Sequence, residues 1–123
     1  MAGITTLLRR LLRGKAVPEE EPEDPVVRCQ AVLAERPRDP QAHFELGSLY
    51  YVRGRLDEAA RELEEAVALR SDFADAHYML GLVYARQGLR EKAARAFERT
   101  LKTSTNKMMR EYAQNKLQAL SEA

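Results

Sequence analysis

Residues 42–67 read AHFELGSLYYVRGRLDEAARELEEAV, and residues 76–101 read AHYMLGLVYARQGLREKAARAFERTL. Laid over one another at a constant offset of 34 residues, they share Ala42/Ala76, His43/His77, Leu46/Leu80, Gly47/Gly81, Tyr50/Tyr84, Gly54/Gly88, Ala59/Ala93, Ala60/Ala94, Arg61/Arg95 and Glu64/Glu98. A fixed period of this length marks a chain that stacks one supersecondary unit on its neighbour.

The unit follows from the spacing of its apolar residues. Ala42, Leu46, Leu49 and Tyr50 fall on one side of a helix, and Gly47 removes a side chain where a neighbouring helix can approach. A second helix repeats the pattern with Leu56, Ala59, Ala60, Leu63 and Val67. Between the two, Gly54 supplies the helix stop, as Gly88 does in the second copy. Asp39-Pro40 places a capping carboxylate and a first-turn proline before the first hairpin, and Asp72 is expected to cap the second. Each copy is therefore a helix-turn-helix hairpin.

Leu46-Gly47, Tyr50, Gly54, Ala59, Leu63 and Ala66, followed by Leu80-Gly81, Tyr84, Gly88, Ala93, Phe97 and Thr100, keep the order of small and large residues of the tetratricopeptide repeat, which this chain resembles. His43 and His77 stand where the family often has tryptophan, and Ser71 and Thr105 where it often has a closing proline. The resemblance implies an all-α fold, a short α-solenoid of two hairpins, acting as a non-catalytic adaptor without cofactor.

Two hairpins alone leave apolar faces open at both ends, so flanking elements are needed to cover them. From Asn106 to Leu120, Met109, Tyr112, Ala113, Leu117 and Leu120 line one side, with Arg110, Gln114 and Gln118 on the other, which predicts a closing helix. Upstream, Asp24-Pro25 opens a shorter pattern through Val26, Cys29, Val32 and Leu33 that stops before Pro37, as would the second helix of a truncated repeat. The expected organisation is a basic amphipathic helix in 1–17, an acidic proline-spaced tether in 18–25, and a repeat body over 24–121, with repeats near 40–73 and 74–107 and a closing helix near 106–121.

Composition narrows the function. A chain of 123 residues with 45% hydrophobic content can form one small domain, and it contains no apolar run long enough to cross a bilayer. A net charge of +1 gives no electrostatic argument for nucleic acid. The single Cys29 cannot form an intrachain disulfide, fits a cytoplasmic compartment, and lies with Val26 and Leu33 on an apolar side where it packs. His43 and His77 are spaced by the repeat itself, so each fills the same packing slot in its own hairpin in preference to sharing a metal. A Gly-rich phosphate loop, a Cys pair and a serine beside a base are all lacking, so no catalytic residue is assigned. Glu58, Arg61, Glu62 and Glu65 sit at spacings suited to a solvated face with helix-side ion pairs.

A second stripe on the first helix of each hairpin points to binding. It runs through Phe44, Ser48 and Tyr51, then through Tyr78, Leu82 and Ala85 beside Arg86. The resemblance implies a concave groove of Phe44, Glu45, Ser48, Tyr51, Tyr78, Met79, Leu82 and Arg86. The competing expectation is that neighbouring elements of the same chain bury the stripe. Relatives that grip acidic C-terminal tails line this groove with lysine, asparagine and arginine. Phe44, Glu45, Ser48, Tyr78, Met79 and Leu82 better suit an apolar or amphipathic segment of a protein partner.

In ITTLLRRLLRGK, residues 4–15, Ile4, Leu7, Leu8, Leu11 and Leu12 gather into one helical stripe opposite Arg9, Arg10 and Arg13. Three roles fit: an anionic membrane surface or a partner helix, docking on the protein's own body, and a removable organellar targeting peptide, the mitochondrial one included. The identity of the partner and the oligomeric state are left open by the sequence.

Overall fold

The computed structural model describes residues 23–122 and places six α-helices in them, with no strand among the described residues. They are α1 (Pro25–Glu35), α2 (Pro40–Val52), α3 (Leu56–Leu69), α4 (Ala74–Arg86), α5 (Arg90–Thr103) and α6 (Lys107–Glu122). The amphipathic segment with Ile4, Leu7, Leu8, Arg9, Arg10, Leu11, Leu12 and Arg13, and most of the acidic stretch, lie outside the described residues. No helix among the described residues is long and apolar enough to cross a membrane.

Helices α2 and α3 form one hairpin and α4 and α5 the next, with α1 packed on α2 and α6 on α5. Both hairpin turns are made alike. After α2, Gly54 takes φ 75°, its N–H reaches the Tyr51 carbonyl at 3.0 Å, and the Arg55 N–H reaches the Tyr50 carbonyl at 2.9 Å. After α4, Gly88 takes φ 79° and the same two bonds form to Ala85 and Tyr84 at 3.1 and 2.8 Å. This left-handed closure satisfies carbonyls that a helix end leaves open, and only glycine adopts it without a Cβ penalty.

The crossing inside each hairpin depends on a missing side chain. A Cβ on Gly47 would lie 2.6 Å from Leu63 Cγ, and one on Gly81 would lie 2.4 Å from Phe97 Cε1. Leu63 and Phe97 are fully buried, so each fills the groove that its glycine leaves. One apolar cluster joins α1 to α4 through Val26, Cys29, Leu46, Leu63, Ala66, Phe73 and Val83. A second, around Phe97, Ala93 and Ala113, is closed by Leu117 and Leu120 of α6.

Asp24 caps α1 by accepting from the Val26 N–H at 2.9 Å, and Asp39 caps α2 by accepting from Gln41 at 3.0 Å and Ala42 at 3.3 Å. The expected cap at Asp72 does not form. The cap position of α4 belongs to Phe73, which makes no side-chain hydrogen bond there. Phe73 is the 34-residue counterpart of Asp39, and its ring is spent on the core, 5.0 Å from Phe44, while Asp72 turns to Arg70 at 3.4 Å. In α6 the expected sides are partly exchanged: Tyr112 is 49% exposed, whereas Arg110 folds back onto the carbonyls of Leu101 and Ser104 at the end of α5. Those carbonyls end a helix and need donors, which a guanidinium supplies.

Candidate functional site: the inner face of α2, α4 and α6

Residues 34 apart occupy corresponding places on the first helices of successive units, so Phe44 of α2, Tyr78 of α4 and Tyr112 of α6 stand in line. Phe44 is half-buried against Phe73, and Tyr78 is half-buried with its ring 5.7 Å from Phe97. Both aromatic rings therefore have one face in the core and the rest available. The Tyr78 hydroxyl is held above its ordinary range first by burial, then by the charges that Tyr112 and Tyr51 would carry if ionised. It stays neutral and a hydrogen-bond donor at physiological pH.

The remaining expected groove residues divide. Tyr51 is half-buried and carries the Arg86 guanidinium over its ring at 5.0 Å, which links α2 to α4 across the groove floor. Met79 and Leu82 are half-buried, Met79 against the first cluster and Leu82 against the second. Ser48 donates its hydroxyl to the Phe44 carbonyl of its own helix at 2.8 Å. Glu45 is exposed and accepts from Gln41 at 3.2 Å. Phe44, Tyr51, Tyr78 and Leu82 thus pack against the core while each keeps part of its surface accessible.

Sequence pattern alone misses Tyr112, because its helical neighbours Met109 and Ala113 assign it to the packing side of α6. The signal that finds it is its distance of 34 residues from Tyr78. A second feature also escapes the pattern. Between α1 and α2 an open trough of about 560 Å³ is lined by Val32, Leu49, Val52, Phe44 and Cys29, with Arg28 and Glu45 among its polar residues.

The two histidines occupy matching slots. Nε2 of His43 is 2.8 Å from the Pro37 carbonyl, and Nε2 of His77 is 2.8 Å from the Ser71 carbonyl. They differ at the other nitrogen, since His43 Nδ1 lies 2.8 Å from Glu62 Oε2 and Ala96 is the 34-residue counterpart of Glu62. Glu62, expected on the solvated face, instead ties the two helices of the first hairpin together. Glu64 accepts from the Tyr84 hydroxyl at 2.7 Å, and burial followed by this carboxylate keeps that hydroxyl protonated. No cluster of metal-ligating side chains occurs among the described residues.

Helix pairs stacked in one direction, crossing at glycines and presenting an inner face of aromatic and aliphatic residues, define an α-helical repeat scaffold. Two family descriptions match the sequence: TPR repeat over residues 47–88 and tetratricopeptide repeat over residues 74–106. The chain belongs to the tetratricopeptide-repeat family, a family of non-catalytic interaction scaffolds. Among solved structures it is similar to the first TPR of Spaghetti (RPAP3), bound there to the HSP90 peptide SRMEEVD, with 22% identity and TM-score 0.73 over 79% of this chain and 75% of that one. It is similar to MamA, with 27% identity and TM-score 0.73 over 79% of this chain and 51% of that one. A third relative is YrrB, described as a TPR protein with an unusual peptide-binding site, with 26% identity and TM-score 0.67 over 73% of this chain and 46% of that one. No curated protein sequence matches the chain.

Proposed function

We propose that this protein is a non-catalytic protein-interaction adaptor whose inner face holds an apolar or amphipathic segment of a protein partner, within a larger assembly in the cytoplasm. The observation that carries this reading is the aromatic line Phe44, Tyr78 and Tyr112, flanked by Tyr51, Met79 and Leu82, where Tyr112 is 49% exposed and each of the others packs against the core yet retains accessible surface. Anchored aromatic rings lose little conformational freedom on binding and suit hot-spot contacts. The peptide-binding site described for YrrB supports the same use of the fold.

The chemistry of the face sets the class of segment. Its polar groups are sparse: Ser48 is already bonded to its own helix, and Arg86 lies over Tyr51. A segment with apolar residues at helical spacing would meet aromatic and aliphatic side chains, and an acidic residue at one edge would meet Arg86. The test is affinity capture with the full chain, followed by binding titrations of the identified partner against Tyr112→Ala and Leu82→Ala. A loss of about 1 kcal/mol or more for Tyr112→Ala, with the melting midpoint retained, supports the groove. Unchanged affinity in both variants would exclude this face. Imaging of the tagged chain in cells tests the compartment.

A further inference from the structure

The ends of the solenoid are treated differently, and the difference can be read by superposing one unit on the next. In the downstream unit the seat formed by α3 and α4 is filled by α2, with Gly47 on Leu63 and Phe44 on Phe73. Its floor residues Leu63, Ala66 and Val83 are each 0% exposed. The same positions one unit upstream are Cys29 and Val32 of α1 and Leu49 of α2. There no described residue fills the seat: Val32 is 41% exposed, Val52 at its edge is 80% exposed, and the trough of about 560 Å³ lies between the two helices. Among the described residues, α1 thus stands as the second helix of an upstream unit, and none of the other described helices takes the place beside it that such a unit gives its first helix.

We propose that residues 4–13 of the same chain fill that seat as a helix. Three observations select this occupant. Ile4, Leu7, Leu8, Leu11 and Leu12 form a single apolar stripe of the width one seat accepts, and they precede α1, in the order that a first helix precedes its partner. Ten residues make a helix of about 15 Å, matching the length of α1 at 1.5 Å per residue. Residues 14–24 can extend to about 36 Å, more than enough to return the chain to Pro25 from either end of the seat. Charge agrees as well. The segment from Ile4 to Lys15 carries four cations and no acid, while the seat is bordered by Asp39 and Glu45 against the single cation Arg28. The tether makes the encounter intramolecular, so a weak helix is held by a high local concentration. This inference goes beyond the partner groove, with Phe44, Glu45 and Ser48 standing at the edge common to both.

The experiment is amide hydrogen exchange on the full chain, resolved by peptide, in the native protein and in Val32→Glu. Val32 is partly exposed, so a carboxylate there spares the body while placing a charge under the leucine stripe. The expected result is that amides of residues 7–13 exchange at least about tenfold slower than an unstructured chain in the native protein and lose that protection in Val32→Glu, while α2 to α5 keep theirs. A second measurement reads the seat itself. Cys29 is the only thiol in the chain and lies in the trough, so its reaction with N-ethylmaleimide should be several-fold faster in the full chain bearing Leu8→Glu with Leu11→Glu than in the native chain. Native amides of residues 7–13 that exchange freely, with equal thiol rates, overturn the proposal. Protection that disappears on dilution as a sedimenting dimer dissociates would assign the seat to a second copy. Protection that arises only on phosphatidylserine vesicles would assign the segment to a membrane surface, and either result also overturns the proposal.

Discussion

Gly81→Ala adds one carbon to the tighter of the two glycine crossings among the described residues. That carbon would lie 2.4, 2.7 and 2.7 Å from Cε1, Cδ1 and Cζ of Phe97, against the roughly 3.5–4.0 Å of an ordinary carbon contact. The ring cannot swing away, because Phe97 is 0% exposed and packs against Tyr78 on one side and α6 on the other. Helices α4 and α5 must therefore separate by about 1 Å, and overpacking of this kind costs about 1–3 kcal/mol. Alanine returns about 1 kcal/mol through its better helix propensity. The net loss is about 0–2 kcal/mol, and a body of this size loses roughly 4–8 °C of melting midpoint per kcal/mol. The assay is thermal unfolding by circular dichroism for Gly81→Ala, Phe97→Leu and the double variant. Removing the ring should relieve at least about 1 kcal/mol of the alanine cost, a coupling expected only of residues in contact. A Gly81→Ala protein more stable than the native one, or an alanine effect unchanged in the Phe97→Leu background, would refute the close-crossing argument.

Other outcomes follow from single contacts. Gly54→Ala and Gly88→Ala have open space around the added carbon, so their cost of about 1–2 kcal/mol each is purely the left-handed backbone, and denaturant midpoints should fall without a change in helix content. His43 is pulled down by burial, but its bonds to Glu62 and the Pro37 carbonyl outweigh this and leave its pKa raised, because two acceptors are satisfied only by the doubly protonated ring. Its stabilisation is therefore complete below the ordinary histidine pKa and fades as pH rises through the raised value. Melting midpoints measured from pH 5 to 8 should show this slope in the native chain and lose it in His43→Gln. The Arg53 guanidinium, then the Val26 N–H, hold the Asp24 carboxyl below its usual range, so this contact persists above the ordinary carboxylate pKa and weakens as pH falls. Arg53→Ala should speed amide exchange in the first turn of α1 and leave α4 and α5 unchanged.

The repeat period and the residues at each position are enough to derive the hairpins. Periodicity places the helices, Gly54 and Gly88 place the turns, and Leu46-Gly47 and Leu80-Gly81 place the crossings, because these features depend on backbone chemistry within one unit. Helical spacing already singles out Phe44, Tyr78 and Leu82 as a second stripe, but it does not reach Tyr112. Tyr112 sits among apolar neighbours that suggest a packing role, and only the packing of α6 on α5 decides that it stays exposed. Phe73 in place of a capping acid and Glu62 bonded to His43 are likewise invisible to local rules, since both are decided by what the adjoining helix presents. The open seat beside α1 is the clearest case. Val32 and Leu49 have the same apolar character as Ala66 and Val83, so the pattern already requires these positions to face a helix, whereas the stacking of units alone settles which of them are covered. Burial belongs to pairs of elements, and a pattern along one element specifies the face it offers without specifying the neighbour that meets it.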